Sequence, residues 1–265
     1  MEYRRLGKTS EKISTIGMGT WRIGSYHSQE EKAEQIRAIR RGIDLGINLI
    51  DTAEMYGDGR SERLIAEAIS GSRDSVFIAT KVWPDHLRHD DVIAACDQSL
   101  QRLGVRSVDL YQVHWPNPSV PMRETMSAME ELVRAGKTRY VGVSNFSTLQ
   151  VEEAREALSR SELVSNQVEY SVANRSAEKD VLPYCKKEGL TLIAYSPLAR
   201  GAIPESLIPA PLRQRYGMTP VQIMLNWVTR DDAVVAIPKA ARLSHVEENA
   251  ASVSVRFSRS DYDLV

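Results

Sequence analysis

The stretch EKAEQIRAIRRGIDLGINLID, Glu31 to Asp51, decides the fold. Ala33, Ile36, Ile39 and Ile43 recur at helical spacing and share one face, while Glu31, Lys32, Arg37 and Arg41 cover the other. That is the pattern of a helix half-buried against a neighbouring layer. Leu45-Gly46 stops it with a residue suited to the left-handed position after a helix. Asn48-Leu49-Ile50-Asp51 follows at once as a short strand. The same unit recurs along the chain. Strands are predicted near 16–19, 48–51, 76–80, 108–113, 139–144, 164–169, 191–195 and 233–237. Helices are predicted near 30–45, 61–70, 90–103, 122–135, 147–159, 177–188, 219–230 and 244–251, with Gly104, Gly136 and Gly189 repeating the glycine stop.

Short strands alternating with longer helices build a parallel sheet. Eight units without a reversal of order favour closure into a (β/α)8 TIM barrel over an open doubly wound sheet. A barrel of this kind needs roughly 250 residues, so the 265 residues read as a single domain spanning 1–265. Two segments stand outside the units. Tyr3 to Ser14, with Leu6-Gly7-Lys8-Thr9-Ser10 at its turn, predicts a hairpin that closes the barrel floor. Gly201 to Gly217 reads as a Pro-rich loop after the seventh strand.

Composition narrows the function. Apolar residues make up 42% and charged residues 26%, with a formal net charge of −1, which argues against a polyanion-binding surface. No basic run, membrane-length apolar stretch or signal-peptide core appears, so a cytoplasmic, monomeric protein without nucleic-acid or membrane partners is expected. Cys96 and Cys185 fall in helical patterns and read as reduced, packed thiols. His86 and His89 beside Asp90-Asp91 read as loop and helix start rather than metal ligands, and no metal site is expected. A metal-dependent barrel hydrolase would show His-x-His after the first strand, and none is present.

The chemistry gathers where strands give way to loops. Asp51 closes the second predicted strand, Lys81 the third and His114 the fourth, with Tyr56 in the loop after Asp51. Trp21, Trp83 and Trp115 lie beside them. In a barrel these positions share the rim that carries active sites. A lysine ammonium stabilises a nearby phenolate and brings a tyrosine pKa down, and a carboxylate keeps the buried lysine charged. Asp51, Lys81 and Tyr56 therefore read as a proton relay, with a neutral His114 polarising a carbonyl oxygen. Such a set gives one proton and no nucleophile, so the other reagent comes from a cofactor, with hydride the natural candidate. Gly17-Met18-Gly19 lacks the third glycine of a dinucleotide fingerprint. The cofactor groups are instead Ser144, Asn145 and Gln167, the ring of Tyr195 with Ser196-Pro197-Leu198, and the cations Lys239 and Arg242 at the last helix.

The residues also resemble a known family, the aldo-keto reductases, along essentially the whole chain. The matching segments include Gly17-Met18-Gly19-Thr20-Trp21, Gly46 through Gly57, Ala79-Thr80-Lys81-Val82-Trp83 and Val108 through Pro116. Val141 through Phe146, Asn166 through Tyr170, Ala194 through Leu198, Ala236-Ile237-Pro238-Lys239 and Glu247-Glu248-Asn249 complete the match. The resemblance implies an NADPH-dependent reductase of aldehydes or ketones, with NADH the weaker cofactor and Asp51, Tyr56, Lys81 and His114 as the catalytic set. It gives the carboxamide to Ser144, Asn145 and Gln167, the nicotinamide face to Tyr195 and the pyrophosphate to Ser196 through Gly201. Lys239, Arg242, Glu248 and Asn249 surround the adenosine end, and Gly19, Thr20, Trp21, Asp51, Ile237, Pro238, Ala240 and His245 complete the cofactor set. Trp21, Tyr56, Trp83, His114 and Trp115 line the carbonyl site. Ala240 and His245 stand where better-known animal members carry Ser and Arg, and only 16 residues follow Asn249, which implies a microbial-type, short-loop member with an open pocket. The competing expectation is a cofactor-sensing regulatory subunit of the same fold.

Overall fold

An antiparallel hairpin opens the chain, β1 (Tyr3–Arg5) pairing with β2 (Lys12–Ser14) in the register Arg4 opposite Ile13. Eight parallel strands follow: β3 (Met18–Gly19), β4 (Leu49–Asp51), β5 (Phe77–Val82), β6 (Val108–Val113), β7 (Thr138–Ser144), β8 (Leu163–Glu169), β9 (Thr191–Tyr195) and β10 (Val234–Ala236). Each pairs with the next in sequence. The ring closes between the first and last, where Gly17 N donates to Ala236 O at 2.8 Å and Ala236 N to Thr15 O at 2.9 Å. This computed structural model describes residues 1–202 and 208–265. The (β/α)8 expectation is borne out.

The helices are α1 (Gln29–Asp44), α2 (Arg60–Ala68), α3 (His89–Leu103), α4 (Met122–Arg134), α5 (Thr148–Ala157), α6 (Val181–Glu188), α7 (Ala210–Tyr216), α8 (Pro220–Val228), α9 (Leu243–Ala251) and α10 (Arg259–Tyr262). Their starts are chemically marked. Ser147 with Gln150 and Thr219 with Gln222 form reciprocal capping boxes at α5 and α8. The buried face of α1 is Gln35, Ala38, Ile39 and Gly42, so the expected stripe is turned, with Ile36 and Ile43 only at its margin. Gly42 explains the turn: a Cβ there would stand 2.4 Å from the Met18 sulfur, so glycine lets helix and strand approach.

Three expectations need correction. β5 runs on to Val82, so Lys81 lies inside the strand rather than after it. The helix expected over 177–188 is a 3-10 turn, Ser176–Glu178, followed by α6, which starts at Val181 with the Asp180 carboxylate capping it. The segment expected as loop over 201–217 contains α7, entered through Pro209; residues 203–207 of it lie outside the described residues. The short α10 was not anticipated.

The barrel interior is apolar at its lower end. Leu6 and Ile13 of the hairpin are fully buried against Leu49, Leu110, Val164 and Val235, so the hairpin does close the floor. Cys96 and Cys185 are buried as expected, and burial pushes both thiols up to about 12. The hairpin also fastens the last unit: the buried Arg4 guanidinium donates to Thr229 O at 2.5 Å and to the carbonyls of Asp231 and Val234. It thus satisfies the end of α8 and the start of β10 together. Arg4→Ala should lower unfolding stability by about 3 kcal/mol, because it strands buried carbonyl acceptors. A urea midpoint within error of the parent protein would show that the staple contributes nothing.

Candidate active site

Four side chains from three consecutive strand ends meet above the apolar floor. Asp51 ends β4, Lys81 is the penultimate residue of β5, and His114 follows β6. Tyr56 lies in the loop after β4, which is stitched to β5 by Thr52 N to Ala79 O at 2.8 Å. Lys81 has no exposed surface and Asp51 is 1% exposed. The ammonium donates to Asp51 Oδ1 at 2.6 Å, to Thr52 O at 2.8 Å and to the Tyr56 hydroxyl at 3.4 Å, which uses its three protons. The His114 ring lies edge-on to Tyr56, with centroids 5.8 Å apart, and edge-on to Trp83 at 5.2 Å.

Charge in this site is shaped first by burial. Burial pulls the Lys81 pKa down, but Asp51 and Tyr56 outweigh it and the lysine stays charged above its ordinary range. For Tyr56 burial pushes the pKa up and Lys81 pulls it down without reversing the shift. The expected lowering by Lys81 has the right sign but does not win, and the phenol is held protonated. Burial, then the Lys81 charge, lowers His114 to about 3, so the imidazole is neutral, as expected. Its Nδ1 is buried without a partner. A buried N–H left unpaired is the rarer arrangement, which places the ring proton on Nε2.

The expected carboxamide groups sit alongside. Ser144 Oγ donates to Gln167 O at 3.0 Å, and Asn145, in the left-handed region at φ 62°, donates through Nδ2 to His114 O at 3.0 Å. The Tyr195 hydroxyl donates to Asn145 Oδ1 at 2.9 Å, joining the β7 and β9 ends. Gln167 Nε2 donates to Asp51 Oδ2 at 2.8 Å, so this amide also serves the carboxylate. Beyond Tyr195, Pro197 is buried, Ser196 and Leu198 are half-buried and Gly201 is exposed. On the other flank, Thr20 donates to Asp51 O through both N and Oγ1. Gly19 has no room for a side chain, since a Cβ would lie 2.5 Å from Ile237 O.

Not every expected residue joins the cluster. Trp21 and Trp115 are each 43% exposed, whereas Trp83 lies edge-on to His114. Glu248 accepts from Thr219 Oγ1 at 2.6 Å, tying α9 to α8. Asn249 is buried, His245 is exposed and Ala240 is half-buried beside Pro238 and Lys239. Arg242 is the N-cap of α9, with no side-chain cap on the helix's first N–H groups.

Three residues were missed. Arg22, after Trp21, lies close enough to Lys239 to help lower its pKa, behind burial and ahead of Arg242. Glu54 accepts from Trp83 N at 2.6 Å and meets His86 Nδ1 at 3.0 Å, fixing the loop that carries Trp83. Gln112 reaches Asp51 Oδ2 at 3.4 Å. The signal for Gln112 was its two-residue spacing from His114 on one strand. Among the described residues no cluster of three or more His, Cys, Asp or Glu is arranged to hold a metal.

Residues 15–209 match the family model described as the aldo/keto reductase family. Over 258 residues the chain is 37% identical to the methylglyoxal reductase YeaE of Escherichia coli, an alignment covering 96% of this chain and 90% of that one. The chain belongs to the aldo/keto reductase family. The enzyme class expected from the sequence, a carbonyl-reducing oxidoreductase, is that of the family. A thermostable aldo-keto reductase, Tm1743, crystallised with the inhibitor epalrestat, superposes with a TM-score of 0.95 at 42% identity, covering 100% of this chain and 98% of that one. An aldo-keto reductase of Klebsiella pneumoniae in complex with NADPH superposes at 0.91 with 37% identity, covering 99% and 93%.

The depressed His114 pKa carries a stability signature. The unfolded chain protonates its histidine near pH 6.5 while the folded site stays neutral down to about 3. The unfolded state therefore binds more protons in that window, and stability falls as pH drops through it. Between pH 6.5 and pH 5 this difference in proton uptake costs about 2 kcal/mol. His114→Asn should flatten the pH dependence of the urea midpoint over that range; an unchanged slope, or a His114 imidazole titrating by NMR near pH 6, would contradict the neutral buried ring.

Proposed function

We propose that the protein reduces an aldehyde or ketone to the alcohol with NADPH as the reductant and Tyr56 as the proton donor. The observation that carries the reading is the buried Asp51–Lys81–Tyr56 hydrogen-bond chain beside a neutral His114. Bound cofactor would supply a hydride, which no side chain can. The protein's part is to hold the carbonyl and deliver a proton. His114 Nε2–H donates to the carbonyl oxygen and draws electron density toward it. Tyr56, kept protonated by burial, gives its proton to that oxygen as negative charge develops. Lys81 steadies the phenolate left behind, and Asp51 holds Lys81 in its charged form.

The polar groups along β7 to β10 fit a nicotinamide dinucleotide. Gln167 keeps its amide oxygen for a carboxamide N–H, and Ser144 and Asn145 stand beside it. At the far end, Lys239 is depressed by burial and by the positive charges of Arg22 and Arg242. Cations that face one another at an uncapped helix start suit phosphate groups. The NADPH bound by the Klebsiella pneumoniae relative and the methylglyoxal named for the Escherichia coli one support this choice of cofactor and a small carbonyl substrate. We further read the chain as one barrel domain acting as a monomer in the cytoplasm; among the described residues no helix is long and apolar enough to cross a membrane.

Tyr56→Phe removes the donor and little else. Turnover should fall at least about 10²-fold, while NADPH still quenches tryptophan fluorescence. Near-normal reduction by this variant would end the proton-donor assignment. At the other end of the site, Arg242→Ala should raise the Michaelis constant for NADPH about ten- to a hundredfold more than that for NADH, as expected for loss of a charge-assisted bond. Equal effects on the two cofactors would remove Arg242 from recognition of the 2′-phosphate.

A further inference from the structure

Strand β6 sends three successive side chains into the barrel at two-residue spacing: Leu110, Gln112 and His114. Leu110 belongs to the apolar floor and His114 to the rim. Gln112 lies between them with no exposed surface, and it pairs directly with Lys81 across β5 and β6. Its Nε2 donates to Asp51 Oδ2 at 3.4 Å, the oxygen that also receives Gln167 Nε2 at 2.8 Å, while Oδ1 receives Lys81. The reverse amide orientation would set a carbonyl oxygen against a carboxylate in a buried site, so the nitrogen is the atom that faces Asp51. Its Oε1 has no partner. The stem lies against Gly142, where a Cβ would stand 3.0 Å from Gln112 Cγ and 2.6 Å from Ser165 Oγ. A buried amide with an unpaired oxygen is costly. Leucine, as one level below on the same strand, would fill similar space without that cost, so packing alone does not explain a glutamine.

We infer that Gln112 is a positioning residue for proton donation, holding the Asp51 carboxylate so that Oδ1 faces Lys81 and the ammonium faces Tyr56. This rests on the proposed role of Tyr56. Two amides on Oδ2 fix the carboxylate plane. Rotation of that plane would carry the ammonium away from its longest contact, the one to the phenol.

Gln112→Leu should lower kcat about tenfold, the size of one hydrogen bond to a charged group. The NADPH dissociation constant, read by tryptophan quenching, should stay within about twofold, and the urea midpoint should hold or rise. Gln112→Glu places a carboxylate against Asp51 and becomes a donor only when protonated. Its activity relative to the parent enzyme should therefore recover as pH falls. In a Tyr56→Phe background, Gln112→Leu should add less than about twofold, since residues acting through one group are not additive. An unchanged kcat for Gln112→Leu, a pH-independent ratio for Gln112→Glu, or a full tenfold loss on top of Tyr56→Phe would each overturn the inference. Retained activity in Tyr56→Phe alone would instead remove the reading beneath it. Loss in Tyr56→Phe with full kcat in Gln112→Leu would remove only the role of Gln112.

Discussion

A lysine ammonium without exposed surface constrains everything around it. Lys81 lies inside β5, above an apolar floor, and its charge survives there because a carboxylate and two further oxygens meet its three protons. Removing one partner of a buried pair leaves an uncompensated charge and costs several kcal/mol. The positions of β4, β5 and the loop from Thr52 to Tyr56 are therefore fixed by one requirement. The parallel register does the coarse placement, setting Asp51 level with Ala79 and Lys81 level with Gln112. Hydrogen bonds from the loop to β5 then bring the phenol to the ammonium.

The same charge acts on two neighbours in chemically complementary ways. Positive potential favours a phenolate and disfavours an imidazolium. Tyr56 therefore keeps its proton through burial yet faces the group that eases its release, whereas His114 never becomes a cation in the working range. Two neutral donors of different acidity result from one ammonium and a dry setting. The far end of the cleft follows the opposite logic. There burial, then the positive charges of Arg22 and Arg242, disfavour the charged form of Lys239.

Much of this was legible in the residues. The helix of Glu31 to Asp44 and the strand after it follow from periodicity, and repetition of that unit led to the barrel. Asp51, Lys81 and His114 were found because strand ends in a barrel converge on one rim. Gln112 and Arg22 were not: spacing from His114 puts Gln112 on the inward face, but its partner across the barrel, like that of Arg22, is set by distances that no local pattern encodes. Gln112 is one of six consecutive buried residues in β6, so alternation is masked where both faces are covered. The balance on Tyr56 was misjudged for a related reason: neighbours can be inferred from spacing, but depth of burial cannot. The Pro-rich composition of Gly201 to Gly217 reads as loop, whereas proline at a helix start is compatible with the helix Ala210 to Tyr216.

The seam of the barrel joins residues more than two hundred positions apart, Thr15 and Gly17 on one side and Ala236 on the other. During synthesis from the N-terminus, the four residues of the tetrad leave the ribosome well before β10. Without β10, β3 would have β4 on one side and no partner on the other. Gly19, Thr20 and Trp21 then form a wall with one supported edge. A chain lacking β10 would thus hold its reactive side chains without their enclosure, a stage with an open parallel edge of the kind that invites association. Arg4, waiting at the N-terminus for carbonyls at Thr229, Asp231 and Val234, links the start of the chain to the stretch that ends this stage.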